Sequence, residues 1–269
     1  HNDPLDPLPG PDYPVALHPD TLSASRRVPA FIFSAACFGA HIQGKTATQS
    51  LALSFLQRGS RAFIGSTCTS YGSLSAPLIT ADLLGYHFWK LAQAGVSAGE
   101  ALRRAKLALI EEMHRRQGYL DGEDQKTLIA FNLYGDPLAT AEARQPLPKE
   151  VLRSMEAPQI ATLCERTDHG GGEIPAETLA KVKRVVQAYL PGMLDAELAY
   201  TTVHPDCPPG AVCPTQQLGE QVKIHRAQPE ERQVVVLSKS THNSTHTHPQ
   251  YARLKLDKEG RLVKLSVSR

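Results

Sequence analysis

The sequence lacks any run of ~18 uninterrupted apolar residues, which excludes a transmembrane helix read from hydropathy. It also lacks an excess of one charge. With 29 Lys and Arg against 27 Asp and Glu the formal net charge is +2, and the basic residues are dispersed apart from pairs such as Arg26-Arg27 and Arg115-Arg116. That balance argues against nucleic-acid and membrane-surface partners. No GxSxG elbow, HExxH helix or GxxxxGK[ST] loop occurs, and neither does an internal repeat or low-complexity tract. The five cysteines (Cys37, Cys68, Cys164, Cys207 and Cys213) are odd in number and irregular in spacing, so they form no disulfide framework. Only Cys207 and Cys213, around Pro208-Pro209-Gly210, stand close enough in sequence to bridge, given an oxidising compartment. The chain opens at His1 in a proline-rich run, with no basic region followed by an apolar one. It reads as a piece of a longer protein, so its compartment, secreted or cytoplasmic, stays open.

What is present is ample for a core: 269 residues, 41% of them hydrophobic. Val28 to Ala36 (VPAFIFSAA) is almost continuously apolar, the pattern of a central strand covered on both faces. Ala47, Leu51 and Phe55 recur at helical spacing from Thr46 to Arg58, and Arg61 to Ser66 (RAFIGS) is a second short strand. This is one βαβ unit with parallel strands. Further helices are expected over 79–93, over a long stretch capped by Ser97 with Glu100 as a capping-box partner, and over 123–130. Leu102, Ala105, Leu109 and Met113 form the apolar stripe of the long helix. FNLYGDP (131–137) then turns sharply at Gly135-Asp136-Pro137.

The expected domains are 1–145, a linker at 146–170, and a small α+β domain at 171–269. The last comprises a helix at 176–189 and strands at 196–203, 232–240, 251–257 and 261–267, with a hairpin at Lys258-Glu259-Gly260. Val234, Val236, Leu254, Leu256, Leu262, Leu265 and Val267 read as one half-buried sheet face on that helix. No convergent set of titratable residues marks this region.

Cys37 stands where the first apolar strand gives way to Phe38-Gly39-Ala40. Parallel α/β sheets bind ligands beyond the carboxyl ends of their strands. A thiolate there is a strong nucleophile, and Gly39 lets the chain turn beside a substrate without a Cβ. The plain alternative is that Cys37 is a small buried apolar residue.

The run FIFSAACFGAHI, followed in order by SLALSFLQRGSRAFIGST, ADLLGYHFWKLAQAGVSAGEALRRAKLAL and KTLIAFNLYGDPLA, resembles the gingipain-like family of caspase-fold cysteine peptidases over roughly residues 1–142. The resemblance implies a mostly parallel sheet flanked by helices, incomplete at its N-terminus, and hydrolysis of a protein or peptide substrate through a Cys-His dyad without a cofactor. It implies Cys37 as the nucleophile. It also implies that the strand 61–66 and the loop Thr67–Gly72 wall a substrate pocket, with Gly39, Ser66, Thr67, Cys68 and Tyr71 as its residues. The family's histidine, usually followed by glycine, precedes the cysteine by some 30–40 residues. His1 has that spacing but is followed by Asn2; either His1 is the partner, or the pair lay upstream. The oxyanion donors implied are the N–H groups of Cys37 and Asn2.

Other candidates read more plainly. His18 lies in a loop too near Cys37, and His41 is a wall or helix-start residue. Asp136 holds a local turn, Cys68 lines a pocket or packs, and His242, His246 and His248 sit at a polar strand tip rather than around a metal. A fold that has lost its histidine and acts as an interaction module is the alternative to an enzyme.

Overall fold

The structure is a computed structural model that describes residues 17–23, 27–141, 174–203, 232–242 and 247–268. The chain divides into two compact units, one on Leu17–Gly72 with the segment from Pro77, the other comprising the elements after residue 173. His1, Asn2, Cys164, Cys207, Cys213 and His246 lie outside the described residues, as does the linker expected at 146–170.

The first unit runs α1 (Pro19–Ser23), β1 (Phe31–Ser34), α2 (Leu51–Gln57), β2 (Ala62–Ser66), β3 (Tyr71–Gly72), α3 (Thr80–Ala92), α4 (Ala98–Gln117), α5 (Gly122–Ala130) and β4 (Phe131–Gly135). Its three-stranded sheet has the order β1-β2-β4. β1 and β2 are parallel, as the βαβ reading requires, with Phe31 opposite Ala62 and Ser34 opposite Gly65. β4 is antiparallel to β2. Phe131–Gly135 of the FNLYGDP segment is a strand, which the sequence reading did not assign, and the chain leaves it at Gly135, with φ 109°, where the turn through Asp136 and Pro137 was expected. β2 rather than β1 is the central strand among those described, and every residue of β2 is buried.

Side-chain alternation along the strands makes three layers. Phe31, Phe33, Ala62, Ile64, Phe131 and Leu133 face α3 and α4, while Ile32, Phe63 and Tyr134 face α1 and α2. Phe33 lies between Phe131 and Phe88, at ring separations of 5.4 and 5.6 Å. Each fully buried side chain of this size contributes about 2–3 kcal/mol of apolar burial. Leu102, Ala105, Leu109 and Met113 are buried as their spacing predicts. Helix α2 starts at Leu51 rather than Thr46, because Gln49 Oε1 accepts from the N–H and Oγ1 of Thr46 in a local turn.

The capping box expected at Ser97 is not formed: Glu100 pairs instead with Arg103 and Arg104. A capping box does form at α5, between Asp121 and Asp124. The Glu100 arrangement recurs at Glu112 with Arg115 and Arg116. Arg103 and Arg104 hold the Glu100 carboxyl down to about 2, against the opposing effect of burial. Glu112 is likewise held at about 2, first by Arg115 and further by Arg116, again with burial opposing. Depressed carboxyl groups stabilise the fold above their unfolded value of 4.5, and that contribution fades as pH falls toward 2. These pairs meet water, so screening leaves less than about 1 kcal/mol for the two clusters together. The Glu100→Gln/Glu112→Gln double variant is expected to be less stable than the parent by that amount at neutral pH. Urea titrations should show the difference closing below pH ~4.5; a gap that persists in acid would refute this account.

The second unit comprises α6 (Ala176–Tyr189), a 3-10 turn (Pro191–Met193), β5 (Glu197–Val203), β6 (Arg232–His242), β7 (Thr247–Leu256) and β8 (Leu262–Ser268). These four strands pair in sequence order, all antiparallel. Val182 and Val186 of α6 pack with Val235, Leu237, Ala252, Leu254 and Leu256. Val235 lies opposite Leu254, and Val234 opposite Lys255. Val234 and Val236 therefore occupy the face turned away from α6, contrary to the single apolar face expected. Leu262 is also 38% exposed, beyond a register shift at Lys255/Leu256. The hairpin closes through Asp257 and Arg261, with Gly260 at φ 73° in the left-handed conformation that glycine tolerates. No helix among the described residues is long and apolar enough to cross a membrane.

Candidate active site

β1 ends at Ser34, so Cys37 sits three residues beyond the strand, in a tight turn. The turn closes on itself through Gly39 N–H to the Ala36 carbonyl (3.1 Å) and His41 N–H to the Phe38 carbonyl (3.0 Å). It is joined to the end of β2 by Phe38 N–H to the Cys68 carbonyl and Ala40 N–H to the Ser66 carbonyl, both 2.9 Å. Close approach needs small residues on both sides. A Cβ on Gly65 would lie 3.0 Å from the Ala40 Cβ. A Cβ on Gly39 would lie 2.2 Å from Ser34 Oγ. Packing of the turn on its own strand thus also crowds a side chain at position 39.

Cys37 is a free thiol, half-buried, and stands outside the apolar clusters. Ser70 holds its sulfur on two sides: the Ser70 N–H donates to Sγ at 3.3 Å, and the thiol donates to the Ser70 carbonyl at 3.4 Å. Polar backbone partners and partial exposure differ from the surroundings of a cysteine used as a small core residue. The N–H groups of Phe38, Gly39, Ala40 and His41 are all satisfied, while among the described residues that of Cys37 has no acceptor. Phe38 is 51% exposed and has φ 56°, a left-handed conformation rare for a residue with a Cβ. Its ring meets His41 edge-on at 5.9 Å, which makes His41 a neighbour of the turn.

The loop after β2 is fixed at several points. Ser66 Oγ donates to the Cys68 carbonyl (2.9 Å), and Thr67 donates to the Ala130 carbonyl through its N–H (3.1 Å) and Oγ1 (3.3 Å). Lys126 Nζ lies 5.5 Å above the Tyr71 ring. Cys68 is free and half-buried, with its thiol directed to the Thr69 carbonyl (3.7 Å). The Cys37–Ala40 turn thus meets Ser66 and Cys68 through the N–H groups of Ala40 and Phe38, and Ser70 through the Cys37 sulfur. His1 and Asn2 fall outside the described residues, so no geometry joins them to this sulfur.

Sequence reasoning did not single out Ser70 within the Thr67–Gly72 loop; its hydroxyl is buried, with no partner among the described residues. It also missed Lys126 and Thr80, since no residue type or spacing marks them. Asp136 has the structural place expected: its Oδ1 accepts from the Leu138 N–H at 2.8 Å.

A mixed α/β sheet, covered on both faces, that presents a half-exposed thiol in a turn beyond a strand is a scaffold suited to a nucleophilic hydrolase. Residues 17–141 match the model of Peptidase family C25, the gingipain family of cysteine peptidases. That span establishes the resemblance drawn from FIFSAACFGAHI onward and takes in Cys37 and the whole loop after β2, though it is less than half of the 269 residues. No curated protein and no solved structure matched the chain.

Proposed function

We propose that this protein is a cysteine endopeptidase in which Cys37 attacks the scissile carbonyl and an imidazole, that of His1, serves as its proton-transfer partner. In this reading the peptidase domain spans residues 1–145, a linker follows at 146–170, and 171–269 is a small α+β domain to which no step of the reaction is assigned. Sulfur attack forms a C–S bond and a tetrahedral oxyanion. The Cys37 N–H, which finds no acceptor among the described residues, is the donor this reading assigns to that oxyanion, joined by the N–H of Asn2. Imidazolium then protonates the departing amine, the C–N bond breaks, and water hydrolyses the thioester with the imidazole as base. Gly39, Ser66, Thr67, Cys68 and Tyr71 wall the pocket for the substrate side chain, and the substrate is a protein or peptide.

The observation that carries this reading is a half-buried thiol beside its own N–H, which has no acceptor among the described residues, in one turn inside the family match. Incubating the full chain with a peptide bearing a thiol-reactive electrophile, then mapping the adduct by mass spectrometry, tests it. One adduct is expected, on Cys37. An adduct confined to Cys68, or none on Cys37 when a small alkylating agent does reach it, would remove Cys37 from the role.

A further inference from the structure

Two residues other than glycine have left-handed φ angles among those described, Phe38 at 56° and Thr80 at 44°. Both end on the loop that holds the Cys37 sulfur. Phe38 does so through its N–H to the Cys68 carbonyl. Thr80, the first residue of α3, does so through its side chain: Oγ1 donates to the Tyr71 carbonyl at 2.5 Å. A β-branched residue is poorly suited to positive φ, and glycine would take this backbone without strain. Glycine, however, has no hydroxyl to reach Tyr71. Thr80 is fully buried, so no water can replace that donor.

The contacts form a short series: Thr80 Oγ1 to the Tyr71 carbonyl, Tyr71 bonded to Ser70, and the Ser70 N–H and carbonyl on Cys37 Sγ. We propose that Thr80 is a positioning residue that fixes the Thr67–Gly72 loop against Cys37, a role whose catalytic consequence rests on the peptidase reading. Thr80 touches neither the sulfur nor the pocket wall's polar groups other than Tyr71. It acts through the backbone of the loop, and its buried hydroxyl bond offsets part of the strain at its φ.

The test uses the full chain with Thr80→Gly, which relieves the backbone and removes the hydroxyl, and Thr80→Ser, which keeps the hydroxyl. In hydrogen-exchange mass spectrometry, Thr80→Gly is expected to speed exchange at residues 67–72 at least about tenfold, with β2 and β4 unchanged. Thr80→Ser should stay within about threefold of the parent. Peptide kcat/KM should fall about tenfold or more in Thr80→Gly and recover in Thr80→Ser. Unchanged loop exchange in Thr80→Gly overturns the proposal. So does acceleration throughout the sheet, which marks a general loss of stability, and so does a serine variant as impaired as the glycine one. A parent chain that hydrolyses no peptide defeats the peptidase reading alone; the exchange pattern still decides whether Thr80 holds the loop.

Discussion

Cys37→Ala should lower peptide hydrolysis by roughly a thousandfold or more while leaving the denaturation midpoint almost unmoved, because the thiol supplies the nucleophile and little of the packing. The half-buried side chain stands apart from both apolar clusters of its unit. Its contacts with Ser70, at 3.3 and 3.4 Å, are weak sulfur hydrogen bonds, so their loss costs under about 1 kcal/mol. Cys164→Ala, which removes a cysteine given no part in the proposed chemistry, is the control and is expected to retain the activity. Initial rates on a casein-type or peptide substrate, with urea titrations of both variants, make the comparison. Equal activity in Cys37→Ala and the parent would leave an α/β scaffold without its proposed chemistry.

Gly135→Ala should produce the largest loss of stability among single substitutions of the first unit's glycines. Gly135 ends β4 with φ 109°, and a Cβ there would stand 2.3 Å from the Arg61 carbonyl and 3.0 Å from Leu56 Cδ2. The carbonyl cannot withdraw, because it accepts the Asp136 N–H at 2.8 Å and belongs to the backbone entering β2. Positive φ and a backbone clash together are expected to cost about 3 kcal/mol or more, a fall in Tm on the order of 10 °C. Gly118→Ala separates the two causes. Gly118 has φ 81° at the end of α4, but nothing lies within 4 Å of its would-be Cβ. Only the conformational cost of about 1 kcal/mol applies. If both variants melt alike, the contact with Arg61 is not what constrains Gly135.

Much of the first unit is legible in its residues because local periodicity and burial coincide there. The stripe Leu102, Ala105, Leu109 and Met113 requires a helix with one buried face, and that face is buried. The order strand, helix, strand around Phe31–Ser66 fixes a parallel pair. Edges were harder. Thr46 and Gln49 satisfy one another locally and postpone α2, and Glu100 prefers two guanidinium partners to a backbone cap. In the second unit the alternation of β6 was legible but its phase was not, since Val234, Val235 and Val236 are equally apolar. Pairing with Leu254 and Lys255 decides which of them faces α6.

The candidate site divides along the same line. Cys37 and its position after an apolar strand follow from the order of residues, and the segments that resemble the gingipain family are contiguous stretches of sequence. The sequence alone therefore determined the helical stripes, the parallel pair and the identity of the candidate nucleophile. What holds that sulfur was decided by tertiary structure: Ser70 lies 33 positions away from Cys37, and Thr80, at the start of α3, donates to the Tyr71 carbonyl nine positions before it. The physical reason is that periodicity records which side of an element is apolar, a property of neighbours in the chain. Hydrogen bonds between a turn and a loop depend on where separate segments are brought by packing, and no spacing of residue types encodes that.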